Sequence, residues 1–318
     1  EVLTPFAERL TDIVPAWMRQ FRKLLEPLHP AEEVNDRTGA ERNISRHYDL
    51  SNEMFEQFLD STMTYSSAWF EGIPNHATFS DLAAAQRRKV AGVLDFAKVA
   101  AGSQLLEIGS GWGQLSLQAA ERGAKVHTIT LSKEQQALVR ERAAAAGVSE
   151  AIEVELRDYR EVEGLYDAVV SVEMIEAVGE KFWQDYFDAV SARLRPGGRF
   201  GLQAITMPHD RMLASKHAYT WIHKYIFPGG LIPSVESIKA NATKAGLEIV
   251  ESRDLGLHYA QTLRLWRERF NANWPAVKAL GFDEIFALMW QFYLAYSEAG
   301  FRAGHLDVWQ FGMVKRER

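Results

Sequence analysis

The sequence contains no cysteine among its 318 residues, which excludes disulfide bonds, cysteine-ligated zinc and a cysteine nucleophile. It also lacks a basic excess, because 36 Lys and Arg stand against 42 Asp and Glu, for a formal net charge of -6. Proteins that bind nucleic acids through the phosphate backbone normally carry a basic face, so we expect no nucleic-acid partner. No apolar run reaches the roughly 18 residues of a transmembrane helix, and no signal-peptide pattern begins the chain. These absences predict a folded, cytoplasmic protein.

The spacing of apolar residues divides the chain into regions of different pattern. Residues 1–98 show helical spacing around a polar stretch at 34–44, and we expect a helical region that covers a cofactor and offers contacts to a membrane or a second copy. From 104 to 203, short β-type runs alternate with helical runs, which is typical of βαβ units and a parallel sheet. Residues 204–233 and 256–303 are rich in aromatic side chains. We interpret them as insertions over the sheet edge where α/β proteins bind ligands.

Several elements can be predicted individually within the alternating region. The runs QLLEI at 104–108, IEVEL at 152–156 and YDAVVSV at 166–172 are predicted as strands. The sequence RPGG at 195–198 predicts a tight turn that ends a helix and starts the next strand, since glycine adopts positive φ without strain.

An acid and three alternating glycines follow the first predicted strand: Glu107, Gly109, Gly111 and Gly113. Glycine lets the backbone approach a ligand where a Cβ would collide. A dinucleotide-binding turn would have its last glycine at position 114, where this chain has Gln114, and an acid about 20 residues on, where it has Thr130 and Ser132. The pattern therefore disfavours NAD, and a tight turn that binds nothing is the alternative.

Longer motifs resemble a known family. The acid followed by G-x-G-x-G resembles the first motif of the S-adenosylmethionine-dependent methyltransferases. The stretch HYDLSNEMFEQFLDSTMTYSSAWFEG at 47–72, with SVEMIEAVG, PGGLIPS and HYAQTLRLW, resembles the cyclopropane fatty-acid synthase family, which includes the mycolic-acid cyclopropane synthases. The resemblance runs from about residue 43 to the end. Within the family, MTYSSAWF and LQAITMPHDRMLA are similar to the subgroup that adds a 10-methylene branch to an oleoyl chain, the precursor of tuberculostearic acid.

The resemblance implies a fold and an activity. The fold is α/β, a methyltransferase-type Rossmann fold with a mostly parallel seven-stranded sheet, and the methyltransferase domain covers 99–318. The cofactor is S-adenosylmethionine, and the substrate is an oleoyl phospholipid at the inner membrane surface, where we expect basic and apolar residues of 211–230 to make contact. The alternatives are a cyclopropane synthase and a noncatalytic lipid-binding homologue. The resemblance also suggests a flavin- or nicotinamide-dependent reductase as a partner, and it leaves a homo-oligomer open.

The resemblance also implies binding residues. Those for the cofactor are Tyr65, Ser66, Glu107, Gly109, Gly111, Trp112, Gly113, Thr130, Gln135 and Asp158. For Thr130 and Asp158 the alternative is an ordinary cap or turn. Those for the acyl chain are Tyr48, Trp221, Tyr225 and Phe227, for which core packing is the alternative. The histidines are too scattered to predict a metal site.

Catalysis in this family begins when an alkene attacks the sulfonium methyl group and leaves a carbocation. The base in the cyclopropane synthases is a bicarbonate held by Cys, Glu, His and Tyr side chains and a main-chain group. The matching positions here are Ser67, Glu176, Gln203 and Tyr259, with Ile205 at the main-chain position. Ser and Gln cannot carry charge as His can, so bicarbonate is in doubt and a different proton acceptor is an alternative. Glu176 is the residue that we expect to be essential; a solvated acid at a helix start is the other interpretation.

Overall fold

The structure is a computed structural model that describes residues 3–8, 51–216 and 218–316. Tyr48 and the polar stretch 34–44 lie outside these residues, as do residues 9–50 of the predicted N-terminal helical region. The division of the chain at residue 98 stays a prediction. The strands are β1 (Gln104–Ile108), β2 (Lys125–Thr130), β3 (Ile152–Leu156), β4 (Tyr166–Val172), β5 (Leu194–Thr206), β6 (Leu247–Asp254) and β7 (Asp307–Lys315).

Helices surround the strands throughout the described part of the chain. The α-helices are α1 (Leu3–Glu8), α2 (Asn52–Glu56), α3 (Phe79–Phe96), α4 (Gln114–Glu121), α5 (Lys133–Ala145), α6 (Trp183–Arg193), α7 (His209–Ser215), α8 (Trp221–Tyr225), α9 (Val235–Lys244), α10 (Gly256–Ala272), α11 (Trp274–Ala279) and α12 (Glu284–Arg302). Short 3-10 helices lie at Pro74–His76, Ser149–Ala151, Tyr159–Glu161, Ile175–Ala177 and Glu180–Phe182. Polar side chains cap several helix starts; for example, Ser132 begins α5 and Asp283 begins α12, each accepting from a main-chain N–H three residues on.

The strands form one seven-stranded sheet in the order β3-β2-β1-β4-β5-β7-β6. β1 pairs in parallel with β2 and β4, and β7 runs antiparallel between β5 and β6. The central strands are covered on both faces, which explains their near-continuous apolar runs. The prediction of an α/β fold with a mostly parallel seven-stranded sheet is confirmed. The carboxyl ends of β1 to β4 meet at one edge.

The predicted strand bounds hold for β1, β3 and β4, whereas the RPGG turn lies elsewhere than predicted. β5 already begins at Leu194, so the turn is inside the strand and does not precede it. Pairing with β4 passes from Leu194 opposite Tyr166 to Arg199 opposite Ala168, so the intervening residues bulge out of the sheet. Gly197 makes this bulge with a φ of 73°.

Three apolar clusters form the core. One includes Val93 of α3 and Val126 of β2, and another includes Phe187 of α6 and Phe200 of β5, so each packs helices on the sheet. The third is an aromatic cluster in which α10 and α12 pack against residues 54–70. The aromatic segments thus form helices that stand over the carboxyl edge of the strands.

Candidate active site

A cavity of about 1410 Å³ opens at the carboxyl edge of the sheet. It is larger than the roughly 300 to 1,000 Å³ of a pocket for one drug-sized ligand. Its wall has two parts of different chemistry. The strand-end half contains residues that end or follow strands: Glu107, Gly109, Gly111, Trp112, Thr130, Gln135, Asp158, Glu173 and Glu176. The aromatic half contains residues of α10, α12 and the loop after α8: Phe227, Tyr259, Leu263, Phe292, Tyr293, Tyr296 and Phe301.

The glycine turn forms part of the strand-end half. Gly109 and Gly111 line the cavity, and a Cβ at Gly111 would meet no atom within 4 Å. Gly111 therefore borders open space that a ligand can occupy. Gly113 differs, because it caps α4 away from the cavity wall, and a Cβ there would lie 3.1 Å from Val139 of α5. Its role in this structure is close packing between two helices.

The ends of β2 and β3 carry hydrogen-bonded side chains on the cavity wall. The Thr130 hydroxyl donates to Gln135 Oε1 at 2.7 Å, and both residues are buried. Asp158 accepts from the main-chain N–H of Arg160 at 2.9 Å, and its Oδ2 lies 2.6 Å from the Arg160 guanidinium. The cap that we gave as the alternative for Asp158 is thus present, and the residue also lines the cavity.

Two buried ionisable groups lie behind the glycine turn. Glu107 accepts from the Ser116 hydroxyl, and burial raises its pKa to about 7. Lys89 of α3 donates to the Ser66 hydroxyl at 2.5 Å, and burial lowers the pKa of Lys89 to about 8. Both residues reach the cavity wall. Lys89 is not among the residues predicted from the sequence, where it resembles an ordinary charged position of an amphipathic helix.

Tyr65 and Trp112 connect the two halves of the cavity. The Tyr65 hydroxyl lies 2.8 Å from the hydroxyl of Tyr293 on α12, and its ring stacks on Trp266 with centroids 5.2 Å apart. Trp112 is buried and donates from Nε1 to Asn52 at 2.8 Å. Both predicted residues therefore line the cavity with fixed orientations.

A glutamate that directly follows β4 accepts hydrogen bonds from three of the predicted catalytic residues. Glu173 Oε1 accepts from the Ser67 main-chain N–H at 2.9 Å and from Gln203 Nε2 at 2.7 Å, while its Oε2 accepts from the Tyr259 hydroxyl at 2.8 Å. The Ser67 hydroxyl instead donates to the carbonyl of Ala68 at 3.0 Å, so the serine contributes its main chain to this group. Burial raises the pKa of Glu173, and Lys89 and the three donors oppose that shift.

Glu176 lies apart from that group. Its Oε1 accepts from the main-chain N–H of Ile205, and its Oε2 is buried without a hydrogen-bond partner among the residues that the structure describes. Burial, with Glu173 as a second cause, raises the pKa of Glu176 to about 8. The side chain is therefore mostly protonated at neutral pH. The five predicted catalytic residues thus form two hydrogen-bonded groups. Glu176 pairs with Ile205, whereas Ser67, Gln203 and Tyr259 all donate to Glu173.

Glu173 is not among the residues predicted from the sequence, although a signal for it exists. It is the first acid of the motif SVEMIEAVG and directly follows a buried strand, where ligand-binding side chains are expected in a parallel sheet. Its φ of 50° is unusual for a residue other than glycine and is visible only in the structure.

Of the described residues predicted to bind the acyl chain, one lines the cavity and two do not. Phe227 lines the cavity, and its ring lies 5.8 Å from Tyr293, edge to face. Trp221 and Tyr225 do not line it; Trp221 packs against Phe292 at 5.0 Å, and about half of Tyr225 is exposed to solvent. The cavity-lining residues of the short helix α8 are Ile222 and His223 instead.

An apolar stripe lies on the outer face of α12 beside the cavity mouth. Its members are spaced at helical intervals and remain between 44% and 76% exposed: Ile285, Leu288, Phe292 and Tyr296. Phe292 and Tyr296 also line the cavity, so the stripe continues into the aromatic half. A row of exposed large apolar side chains of this kind marks a contact surface.

Neither a metal cluster nor a membrane-spanning helix is found among the described residues. No three His, Asp or Glu side chains in 51–216 and 218–316 come together as metal ligands. No helix of the described part is both long and apolar enough to cross a bilayer.

The sheet order, the glycine turn and the large cavity at the strand ends are those of S-adenosylmethionine-dependent methyltransferases. The sequence profile described as mycolic acid cyclopropane synthetase matches residues 35–311. The chain belongs to this family, and its cofactor is S-adenosylmethionine. The resemblance stated from the sequence motifs is confirmed.

Individual relatives agree with this assignment. Tuberculostearic acid methyltransferase UfaA1 of Mycobacterium tuberculosis is 52% identical over 317 residues, which are 99% of this chain and 74% of that protein. Cyclopropane-fatty-acyl-phospholipid synthase of Escherichia coli is 35% identical over 265 residues, 83% of this chain and 65% of that protein. The structure of mycolic acid cyclopropane synthase CmaA1 in complex with SAH and CTAB has a TM-score of 0.79 at 29% identity, covering 91% of this chain and 99% of that one.

Proposed function

We propose that this protein transfers a one-carbon unit from S-adenosylmethionine to the double bond of an oleoyl phospholipid, and that the product is a 10-methylene acyl chain. The observation that carries the proposal is one continuous cavity with a polar half and an aromatic half. The 52% identity to tuberculostearic acid methyltransferase UfaA1 supports a methylene product over the cyclopropane named for the E. coli relative.

The strand-end half suits the cofactor. The glycine turn offers backbone beside open space, and the buried hydroxyl and amide at the end of β2 suit a ribose. In this proposal Tyr65 and Ser66 contact the amino-acid portion, Thr130 and Gln135 hold the ribose, and Asp158 meets the adenine. SAH bound to CmaA1 supports a nucleoside at this edge.

The aromatic half suits the alkene and the cation that it forms. Tyr259, Tyr293 and Phe301 present ring faces or edges and exclude water, and a ring face near a cation stabilises it by about 0.5 to 2 kcal/mol. Bound S-adenosylmethionine supplies an electrophilic methyl group. The alkene forms a bond to that methyl carbon as the carbon–sulfur bond breaks, and a carbocation is left on the acyl chain. The protein must keep water away from the cation and accept one proton.

The acyl chain must enter from a membrane surface. We infer that the α12 stripe, Ile285, Leu288, Phe292 and Tyr296, contacts the bilayer beside the cavity mouth. Arg211 lies on the same cavity wall, and a cation there suits anionic headgroups. The sequence predicts this contact for the 211–230 segment and for the N-terminal region, and the α12 stripe adds a third surface. A reductase partner and a homo-oligomer stay predictions.

Incubation of the protein with S-adenosylmethionine and oleoyl phospholipid vesicles tests the function. The released acyl chains are then separated by gas chromatography and identified by mass spectrometry, because methylene and cyclopropane chains are isomers. A 10-methylene chain is the expected product. A cyclopropane would support the alternative of a cyclopropane synthase, and cofactor binding without any product would support a noncatalytic homologue.

A further inference from the structure

Three of the five positions that the family resemblance assigns to a bound bicarbonate already contact a carboxylate side chain. Ser67 N–H, Gln203 Nε2 and Tyr259 OH all donate to the Glu173 carboxylate, at 2.7 to 2.9 Å. Ser67 and Gln203 are fully buried and lie off the cavity wall, whereas Glu173 is on it. A bicarbonate that entered from the cavity would meet Glu173 before it reached those donors. The residues present therefore do not fit a bicarbonate at that position.

Three donors contact the Glu173 carboxylate: the Ser67 main-chain N–H, Gln203 Nε2 and the Tyr259 hydroxyl. Together with Lys89 they stabilise its charged form and oppose the rise in its pKa that burial causes. The orientation of Gln203 is itself fixed, because its Oε1 accepts from Gln310 Nε2 at 2.9 Å. The neighbouring carboxyl of Glu176 receives only the donor from Ile205 and holds its proton near neutral pH. Glu173 therefore has three donors and Glu176 has one, which makes Glu173 the acid of the pair better suited to carry a negative charge.

The backbone places Glu173 beside the glycine turn. Ser171 of β4 pairs with Ile108 of β1, so the residues that follow these two strands, Glu173 and Gly109, lie at adjacent strand ends. Glu173 has a φ of 50°, a conformation that is strained for a residue other than glycine. Its N–H donates to the carbonyl of Gln203 at 2.8 Å. Local strain that surrounding contacts hold in place is typical of functional positions.

We propose that the Glu173 carboxylate is the proton acceptor of the reaction and takes the place of a bound bicarbonate. The inference rests on the proposed methylene transfer. After the methyl carbon has bonded to the alkene, a hydride moves with its electron pair from the methylated carbon to the neighbouring cationic carbon. A proton of the new methyl group then passes to Glu173, and the electron pair of that C–H bond becomes the exocyclic double bond. The proton leaves Glu173 for water before the next turnover.

Two substitutions of Glu173 distinguish the effect of its negative charge from the effect of the volume that its side chain occupies. Glu173→Gln removes the charge and keeps the space filled, whereas Glu173→Gly removes the charge, opens the space and suits the positive φ. Each variant removes a buried charge and also leaves the buried Lys89 without that partner, so thermal melting checks that both variants fold. S-adenosylmethionine affinity should stay within a few-fold of wild type in both.

The first measurement is anion binding, which needs no acyl substrate. The SAH-loaded proteins are titrated with ¹³C-bicarbonate and followed by NMR. Saturable binding is expected for Glu173→Gly alone, because only that variant has both free donors and room for the anion. Saturable binding of bicarbonate to wild type would overturn the inference.

The second measurement is turnover on oleoyl vesicles in buffer depleted of carbon dioxide. Wild type should be unaffected by depletion. Both variants should lose about 100-fold or more in kcat, the scale of a general base. Added bicarbonate or formate should restore part of the activity of Glu173→Gly and none of that of Glu173→Gln.

Two turnover results would overturn the inference: wild-type activity that requires bicarbonate, or Glu173→Gln within threefold of wild type. If wild type forms no product from oleoyl vesicles, the proposed function fails. The bicarbonate titration still decides the identity of the anion site in that case, so the two failures are distinguishable.

Discussion

The two halves of the cavity are built in different ways. In the strand-end half, side chains lie at the ends of neighbouring strands, and several are held by short-range hydrogen bonds, such as that of Thr130 to Gln135, five residues apart. Glu173 is the exception, because its three donors are distant in the chain. In the aromatic half, rings from distant parts of the chain pack on one another, as Tyr65 does with Trp266 and Tyr293. The comparison suggests that the first half determines cofactor affinity and the second half determines access of the lipid.

The largest expected effect is a loss of cofactor affinity from a substitution in the strand-end half. Gly109→Val puts a β-branched residue at a φ of 91° on the cavity wall. We expect about a 100-fold loss of S-adenosylmethionine affinity by calorimetry, from about 2 to 3 kcal/mol of strain and displaced ligand. The matched control is Gly147→Val, which has a φ of 69° at the end of α5, away from the cavity. It should lower the melting temperature and leave affinity intact; equal affinity losses in both variants would refute the assignment of the glycine turn.

The second prediction concerns Glu176 and the dependence of the free energy of unfolding on pH. The pKa of Glu176 is raised from 4.5 to about 8, so its proton stabilises the folded state below pH 4.5 and that contribution is lost as pH rises through 8. Glu176→Gln stays neutral at every pH. Relative to wild type, the variant should therefore gain on the order of 2 kcal/mol in free energy of unfolding between pH 5 and 7.

Urea unfolding at each pH measures this difference. Glu180→Gln is the control, because Glu180 is an exposed acid in an ion pair with Lys216. A difference between Glu176→Gln and wild type that does not change with pH would contradict the buried, protonated state of Glu176.

The α12 stripe tests the aromatic half. Replacing Ile285 and Leu288 by Gln removes two exposed apolar side chains that do not line the cavity. Binding to oleoyl phospholipid vesicles in a sedimentation assay should weaken about tenfold, or about 1.4 kcal/mol, with unchanged cofactor affinity. Leu165→Gln is the control, since Leu165 is 52% exposed before β4, at the opposite edge of the sheet. Equal vesicle binding by all variants would remove the stripe from the membrane contact.

The smallest expected effect concerns the support of Glu173. Gln203→Leu removes one of the two donors to Glu173 Oε1 and one of the two acceptors of Gln310 Nε2, which keeps its bond to the carbonyl of Lys89. We expect kcat to fall about fivefold, or about 1 kcal/mol, with the KM for S-adenosylmethionine unchanged. Gln310→Leu, which acts through Gln203, should cost less than that. A change in KM alone would assign Gln203 to binding and not to the positioning of Glu173.

The sequence predicted most of the strand-end half because its signals are local. Each of Gly109, Thr130 and Asp158 ends or follows a strand, and parallel strands bring their ends together at one edge. The aromatic half was predicted only as two segments. Which rings face the cavity depends on helix orientation, so Phe227 lines it while Trp221 and Tyr225 do not.

By itself the sequence determined the sheet, the glycine turn and the family, since these depend on apolar period and short motifs. Only the tertiary structure decided which acid of SVEMIEAVG joins the predicted catalytic group. Glu173 and Glu176 are three residues apart, but a positive φ at Glu173 turns its carboxylate toward donors that come from 30, 86 and 106 residues away in the chain. No local pattern encodes contacts over such separations, because they exist only after the strands and α10 have packed.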